Sequence, residues 1–164
     1  MTAATLPVPV LSLIRTALDE DIGGGDITCE YFVDSLAGAS ARIVARESGV
    51  AAGCEIAARV FQEVDERLAV RCEKPDGAMF AKGDILLRVT GPTRGILAGE
   101  RTALNFLQRL CGIATLTRRY VDAVKPHPVK VLDTRKTTPG WRWLEKMAAR
   151  AGGGANQRLG LHDQ

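Results

Sequence analysis

Hydrophobic residues recur every three or four positions in three segments of the chain, and this spacing predicts helices. The first segment covers residues 11–18 and stops at a triple glycine, and the second is Cys54–Val64. The third extends from Arg94 to about Val124, and we expect Gly112 to break or kink it because glycine is unfavourable inside a helix. The apolar side chains predicted for one face of this third helix are Leu97, Leu104, Leu107, Cys111 and Ala114.

Between these helices, shorter apolar runs bounded by turn residues predict strands. Residues 41–53 read as extended structure, whereas Leu68–Cys72 and Ile85–Val89 are short runs separated by turns that contain glycine and aspartate. Helices do not follow every strand in this part of the chain, which is typical of an α+β arrangement. We therefore predict an α+β domain, with the long helix as its connecting element, over residues 1–125.

The pattern changes after Lys125–Pro128, which we interpret as a linker. Val129–Thr134 is predicted to be a short strand, and Pro139–Ala151 a helix that begins at a proline and ends at glycines 152–154. A strand, a loop and a helix form the first unit of a β/α layer fold or barrel. We predict a second domain, the start of a truncated α/β barrel, over residues 126–164.

Composition narrows the classes of function. Of 164 residues, 22 are Lys or Arg and 19 are Asp or Glu, and the formal net charge of +3 does not argue for nucleic acid or an anionic membrane as a partner. No apolar run approaches the roughly 18 residues that a membrane span needs. The N-terminus has no basic segment before its apolar stretch, so we expect no signal peptide and predict a cytoplasmic protein.

Two groups of potential metal ligands are present. The four cysteines are scattered without CxxC spacing and the chain has two histidines, so we expect reduced, mostly buried thiols and no metal site. Acidic residues also surround the first glycine run, at Asp19, Glu20, Asp21 and Asp26. We interpret them as a solvated helix end and turn in preference to a metal-binding loop.

The densest group of polar residues, residues 133–140, follows the predicted strand directly. In parallel β/α folds, ligands bind at the carboxyl ends of the strands, and this position favours a binding role for Arg135 and Lys136. An arginine can hold a carboxylate with two hydrogen bonds, and a lysine adds a compact positive charge, so the pair suits an anion. The alternative interpretation is a solvated basic turn.

Two further polar groups are candidates for the same role. Asn156, Gln157 and Arg158 follow the second triple glycine, and glycines let the backbone approach a ligand closely. Arg158 would add a third cation, whereas the alternative is a flexible tail. Glu100 and Arg101 lie within the long helix, where such a pair usually faces solvent.

Several blocks of the sequence resemble quinolinate phosphoribosyltransferase, also called carboxylating nicotinate-nucleotide pyrophosphorylase. In the family's order they are EDIGGGDIT (20–28), ESGVAAG (47–53), ERTALNFLQRLCGIATLT (100–117), LDTRKTTPGWRWLEK (132–146) and GGGANQRLGLHD (152–163). The resemblance implies an N-terminal α/β sandwich followed by an unusual α/β barrel, assembled into a dimer. It also implies a reaction in which quinolinate and phosphoribosyl pyrophosphate, with Mg²⁺, give nicotinate mononucleotide, pyrophosphate and CO₂.

The resemblance also implies roles for individual residues. In the family, the arginine of the ERT block reaches into the barrel of the other subunit, and this position is Arg101. The TRK block binds quinolinate, which implies substrate binding by Arg135 and Lys136. A His-Arg pair after the glycines contributes to the pocket, where Arg158 matches the arginine and Gln157 replaces the histidine. Glutamine carries no positive charge near neutral pH, so a weaker or altered pocket is expected.

Family barrels continue beyond this point, with a further lysine, acidic residues that serve Mg²⁺ and pyrophosphate, and a late glycine-rich phosphate site. We therefore expect this chain to have much of the quinolinate site, no ligands for Mg²⁺, little of the phosphoribosyl site and no activity alone. The alternatives are a split half completed by a second chain, and a noncatalytic relative that binds a small carboxylate or docks on a complete transferase. A transferase acting on another pyridine or azole acid is a further alternative.

An alternative from a different class is a lipoyl or biotinyl carrier domain, because residues 76–91 resemble its glycine-spaced strands. Such a domain requires a lysine at the exposed tip of a hairpin, and Lys82, beside Gly83, is the candidate. The residues around Lys82 do not match that setting, so this alternative is the weakest of those considered.

Overall fold

The computed structural model describes residues 6–163, which form α-helices and antiparallel strands. The elements in chain order are α1 (Val8–Ile22), α2 (Ile27–Phe32), β1 (Gly38–Val44), β2 (Gly49–Val50), α3 (Cys54–Val64), β3 (Ala69–Cys72), β4 (Met79–Phe80), β5 (Ile85–Pro92), α4 (Thr93–Val124) and α5 (Arg142–Ala151). The predicted α+β character is confirmed. No helix within residues 6–163 combines the length and the apolar character that crossing a membrane requires.

Three strands form the main sheet in the order β1-β5-β3, and both pairs are antiparallel. β2 and β4 form a separate antiparallel pair. Along β5, Leu87 and Val89 are buried whereas Arg88 and Thr90 are exposed. One face of the sheet therefore packs on the core while the other faces solvent.

The core lies between the buried face of the sheet and the helices α3 and α4. Phe61 of α3 and Phe106 and Leu110 of α4 are each at most 2% exposed, and burying a side chain of this size stabilises a fold by about 1.5–3 kcal/mol. The helices approach closely because Gly99 faces Phe61, where a Cβ would lie 2.8 Å from the aromatic ring. Ile14 of α1 covers the same core. α4 is thus the central element against which the others pack.

Helix α4 continues through Gly112, so the predicted break does not occur. Gly112 is exposed, and no atom lies within 4 Å of the position that its Cβ would take. Its neighbours Cys111 and Ala114 are buried in the core. This packing outweighs the cost of one glycine in a helix, which is about 1 kcal/mol.

The predicted apolar face of α4 is correct in its second half and wrong at its start. Leu107, Cys111 and Ala114 are buried, as expected. Leu97 is 44% exposed, and its neighbour Ile96 is buried instead. Adjacent helix positions point in different directions, so an error of one residue moves the expected contact off the core.

The short helix α2 was not predicted. Asp26 begins it, because the Asp26 carboxylate accepts a hydrogen bond from the Cys29 amide at 3.0 Å, which is the usual arrangement of an N-cap. Asp26 therefore lies at the start of a helix that was not expected from the sequence. Asp19, Glu20 and Asp21 are exposed near the end of α1, as expected.

The strands differ from prediction in two places. β1 begins at Gly38 and is separated from β2 by residues 45–48, so residues 41–53 are not one extended segment. β4 and β5 belong to different sheets, since β4 pairs with β2 whereas β5 pairs with β1 and β3. Lys82 is therefore not at the tip of a hairpin, and the carrier-domain alternative is wrong.

The strand predicted at residues 129–134 is reduced to an isolated parallel bridge between Leu132 and Ala155. Within residues 6–163 the bridge does not extend into a ladder of several residue pairs, because no second strand lies alongside. The following helix begins at Arg142, later than predicted. Gly140 has a φ of +80°, outside the helical range, and this turn delays the helix.

Candidate anion-binding site

The two polar groups singled out in the sequence are neighbours in the structure. Ala155 N–H donates to the Val131 carbonyl at 2.9 Å, and Asp133 N–H donates to the Ala155 carbonyl at 3.0 Å. These bonds form the parallel bridge, and they place residues 134–138 and 156–158 beyond the same end of it. The site is therefore built from two chain segments that leave the bridge together.

Asp133 joins these segments to α5. Asp133 Oδ1 accepts hydrogen bonds from the Lys146 ammonium group and from Gln157 N–H, the latter at 2.7 Å. The side chains of Lys146 and Asp133 are 1% and 6% exposed, so their ion pair is shielded from water and the loss of either partner would leave a costly buried charge. The sequence does not indicate this pair, because a single lysine in an amphipathic helix carries no signal that it is buried.

The loop of residues 134–138 is ordered by its own hydroxyl groups. Thr134 Oγ1 accepts from Lys136 N–H at 3.1 Å, and Thr137 Oγ1 accepts from Arg142 Nε at 3.2 Å. Because each hydroxyl oxygen accepts a bond from the protein, its proton is available for a ligand. The loop thus presents oriented hydrogen-bond donors next to its cations.

Arg109 of α4 holds the far end of this loop. Its guanidinium donates to Thr138 Oγ1 and to the Glu145 carboxylate, which also accepts from Thr138 N–H at 3.2 Å. The guanidinium carbon lies 5.3 Å from the centre of the Trp141 ring, within the range of a cation–π interaction. Trp141 in turn stacks on Phe106, with ring centroids 4.7 Å apart. The loop is therefore fixed to α4 as well as to α5.

The contacts of Glu145 change the acidity of its carboxyl group. Partial burial raises the pKa of Glu145, but hydrogen bonds from Arg109 and Thr138 outweigh burial, so the pKa lies below its ordinary value of 4.5. Glu145 is therefore ionised near neutral pH and can pair with Arg109. The Arg109 side chain is 45% exposed, so solvent screens this pair and limits its contribution to stability.

A cavity of ≈ 550 Å³ lies against the loop, within the usual size range of small-molecule sites. Its lining includes Asp133, Thr134, Lys136, Thr137, Thr138 and Lys146. The charge of Lys146 is taken up by Asp133, whereas Lys136 is exposed. The cavity therefore offers an available cation and oriented hydroxyl groups, which suits a small anion.

A larger groove of ≈ 980 Å³ lies between β1 and α4. Apolar side chains such as Leu86 and Leu104 line much of it, and none of the residues 133–138 does. Volume alone does not identify a binding site. We place the candidate site in the smaller cavity because cations and hydrogen-bond donors converge there.

The structure does not gather all predicted site residues in this cavity. Lys136 lines it, whereas Arg135 does not. Arg135 is half-buried, and its Nε atom has no partner among residues 6–163. Gln157 and Arg158 are exposed on the adjoining segment and do not line the cavity. Arg101 is exposed on α4 and is also absent from the lining.

The second triple glycine packs closely against α4. A Cβ at Gly152 would lie 2.4 Å from the Ala114 carbonyl oxygen, and a Cβ at Gly154 would lie 3.0 Å from Thr117 Cγ2. Gly153 has a φ of +94°, which favours glycine. These glycines let the chain leave α5 while residues 152–154 remain close to α4.

Neither a disulfide nor a cluster of three potential metal ligands forms in the described part of the chain. All four cysteines are free. Burial raises the pKa of Cys54 and Cys111 and raises that of Cys72 to about 12, so these thiols remain protonated near neutral pH. Within residues 6–163, no three His, Cys, Asp or Glu side chains are grouped to hold a metal ion. These residues do not fit a Mg²⁺ site.

Known proteins match this chain along its length. Models of the quinolinate phosphoribosyl transferase N-terminal and C-terminal domains match residues 26–111 and 113–164. A probable carboxylating nicotinate-nucleotide pyrophosphorylase of Bacillus subtilis is 46% identical over 144 residues, which are 88% of this chain and 50% of that protein. A chloroplastic carboxylating nicotinate-nucleotide pyrophosphorylase of Oryza sativa is 44% identical over 153 residues, which are 93% of this chain and 41% of that protein.

The fold matches as well. The crystal structure of NadC from Streptococcus pyogenes superposes with a TM-score of 0.91 at 39% identity, and the match covers 97% of this chain and 57% of that one. The chain spans about half the length of the curated relatives it matches. With two family models covering most of its sequence, this chain belongs to the quinolinate phosphoribosyltransferase family.

Proposed function

We propose that this chain is part of a quinolinate phosphoribosyltransferase, which converts quinolinate and phosphoribosyl pyrophosphate to nicotinate mononucleotide, pyrophosphate and CO₂. One observation supports it above the others. The loop of residues 134–138, fixed at both ends, presents Lys136 and oriented hydroxyl groups to a cavity beside Arg135. Groups held in place before the ligand arrives need no reorganisation to stabilise its charge.

The charges of the substrate explain the need for this loop. Quinolinate carries two carboxylates, and fixed cations offset the cost of removing them from water. Arg135 and Lys136 supply cations from the loop, and Arg158 supplies a third from the segment 156–158. The hydroxyl groups of the loop add hydrogen bonds to carboxylate oxygens.

The same residues suit the chemical steps. The ring nitrogen forms a bond to the ribosyl carbon as the bond from that carbon to pyrophosphate breaks. The resulting pyridinium accepts the electron pair of the neighbouring C–C bond when the carboxylate leaves as CO₂, and a proton then takes its place. Fixed cations beside the ring hold the reacting acid in position while its charge is redistributed.

We also propose a dimeric assembly, a barrel fold for the second domain and a location in the cytoplasm. Arg101, exposed on α4, completes the site of a neighbouring copy, so the working unit is a dimer. Residues 126–163 form the first unit of an α/β barrel, which the parallel bridge at Leu132 supports. The four free thiols support a reducing compartment such as the cytoplasm.

Calorimetric titration with quinolinate tests the binding site. Arg135→Ala should weaken binding by about 2–5 kcal/mol, because its guanidinium is partly desolvated. Arg150→Ala is the matched control, since Arg150 is exposed in the last turn of α5 and should leave the affinity unchanged. Nicotinate lacks the second carboxylate and should bind more weakly, and added salt should weaken the binding of quinolinate. Equal affinity for the two acids, or equal effects of the two substitutions, would reject the proposed site.

A turnover assay tests the whole reaction. We expect the chain alone, with quinolinate, phosphoribosyl pyrophosphate and Mg²⁺, to form no nicotinate mononucleotide. Neutralising and positioning the pyrophosphate supply most of such catalysis, and residues 6–163 hold no metal-binding group of side chains. Product formed by protein free of host enzyme would show that this expectation is wrong.

A further inference from the structure

An acidic side chain lies within the cationic site. Asp133 precedes Arg135 and Lys136 by a few positions, and a free carboxylate there would pair with these cations and repel an anionic ligand. The structure prevents both effects, because Asp133 is bonded to the buried Lys146 and is itself 6% exposed. The pair is therefore electrically neutral toward the cavity.

The orientation of this carboxylate depends on two bonds to one oxygen. Asp133 Oδ1 accepts from Lys146 on α5 and from Gln157 N–H at 2.7 Å. Asp133 Oδ2 is buried and has no partner among residues 6–163. Lys146 therefore holds the oxygen in place, and that oxygen in turn holds the main chain at Gln157.

The bond to Gln157 lies where the bridge no longer constrains the chain. The hydrogen bonds of the bridge end at Ala155. Further along the chain, the Leu159 carbonyl accepts a hydrogen bond from the Arg142 side chain of α5 at 3.1 Å. Asp133 thus fixes the middle of the segment 156–158. Because the donor is the main-chain amide, this contact does not depend on the side chain at Gln157.

We propose that Asp133 and Lys146 are positioning residues, which align the segment 156–158 with the loop of residues 134–138. The alignment lets Arg158 on one segment and Arg135 and Lys136 on the other bind the same dianion. The inference rests on the proposed function in its choice of ligand. Neither Asp133 nor Lys146 needs to touch that ligand.

Two double variants separate this role from simple stabilisation of the fold. Asp133→Asn/Lys146→Met removes both buried charges but keeps an oxygen that can accept from Gln157 N–H. Asp133→Leu/Lys146→Met also removes both charges, with side chains of similar length and branching, but removes the acceptor. Both avoid an unpaired buried charge, so both are expected to fold, which thermal unfolding checks.

The test compares the affinities of the parent and both variants for quinolinate and nicotinate. Misaligned segments should weaken the binding of a ligand held at two points more than the binding of a ligand held at one. The ratio of the quinolinate affinity to the nicotinate affinity should fall about three- to tenfold in Asp133→Leu/Lys146→Met, which is the range that one hydrogen bond supplies. It should stay near the parent value in Asp133→Asn/Lys146→Met. Where the parent distinguishes the two acids, a ratio unchanged in both variants, or lowered equally in both, overturns the inference.

Hydrogen exchange in the absence of ligand gives a second readout. The Gln157 amide should exchange slowly in the parent and in Asp133→Asn/Lys146→Met, and about threefold or more faster in Asp133→Leu/Lys146→Met. Rapid exchange of the Gln157 amide in the parent overturns the inference, whichever ligand the protein binds. A parent that protects this amide but does not distinguish quinolinate from nicotinate supports the alignment and counts against the proposed function.

Discussion

The carbonyl oxygen of Ala114 lies 2.4 Å from the position that a Cβ on Gly152 would occupy. The end of α5 therefore approaches the backbone of α4 at a distance that only glycine permits. Lys146 and Arg109 lie on these two helices and hold opposite ends of the candidate site. The packing of α4 on α5 thus sets the geometry of the loop between them.

Gly152→Ala should destabilise the protein by about 1–3 kcal/mol, because an added methyl group forces the two helices apart. Gly112→Ala is the matched control: Gly112 lies within α4, and no atom is within 4 Å of its Cβ position. That change should be neutral or should stabilise by up to about 1 kcal/mol, since alanine favours a helix. Denaturant unfolding measures both, and equal free-energy changes would contradict the close contact.

Acidification should remove the stabilisation that Glu145 provides. The pKa of Glu145 is lowered from 4.5 in the folded protein, so its contribution is complete above about pH 4.5 and is lost as the pH falls through the lowered value. The difference in unfolding free energy between the parent and Glu145→Gln should therefore disappear at low pH. Because Arg109 is 45% exposed, we expect a difference of at most about 1 kcal/mol at pH 7.

Glu66→Gln is the control for this measurement, because Glu66 is exposed and lies away from the site. Its pH profile of stability should follow that of the parent. Unfolding in denaturant between pH 3 and pH 7 distinguishes the variants. A constant difference between the parent and Glu145→Gln across this range would show that the Arg109 contact does not lower the pKa.

Hydrophobic periodicity was sufficient to predict α3 from Cys54 to Val64, because a buried stripe at helical spacing marks both ends of that helix. It was not sufficient for α2, whose signal is one capping side chain, Asp26, before a short segment. Gly112 was misjudged for a different reason. Local preference disfavours glycine in a helix, but the burial of neighbouring side chains in the core decided the outcome.

The site could be predicted where its residues follow an apolar segment in sequence, as Arg135 and Lys136 do. Their supports could not be predicted, because the partners are distant in the chain. Arg109 meets Glu145 across 36 positions, and nothing in either local sequence pairs them. Lys146 was overlooked because its burial depends on Asp133, which reaches it only once the loop has formed.

Self-association is expected at tens of micromolar, within the usual range of weak dimers. Large apolar side chains are exposed near α2, where Tyr31, Phe32 and Leu36 are 79%, 85% and 92% exposed. Such groups favour contact with a second copy. Sedimentation velocity over a range of concentrations measures it. A folded protein that stays monomeric throughout would contradict both the dimer and the role proposed for Arg101.

A mixing experiment tests whether Arg101 acts on a neighbouring copy. Before mixing, the Arg101→Ala protein and the Arg135→Ala protein should each lack tight binding of quinolinate. When equal amounts exchange subunits, half of the dimers are mixed and one site in each is intact, so about a quarter of all sites should recover. No recovery after exchange would mean that Arg101 and Arg135 serve the same chain or that Arg101 has no role.

Gln157→His should tighten quinolinate binding, most strongly below about pH 6.5, where an unperturbed imidazole is charged. Gln157 is exposed beside the cavity, and its main-chain N–H is already bonded to Asp133 at 2.7 Å. The substitution therefore adds a titratable cation without disturbing the segment that carries it. Asn156→His is the control, because Asn156 is also exposed and places the same imidazole one position away. Calorimetry between pH 5.5 and pH 8 should show that the affinity for quinolinate increases on acidification in Gln157→His and not in Asn156→His. An equal increase for both variants would indicate a general effect of charge, and Gln157 would then have no specific place in the pocket.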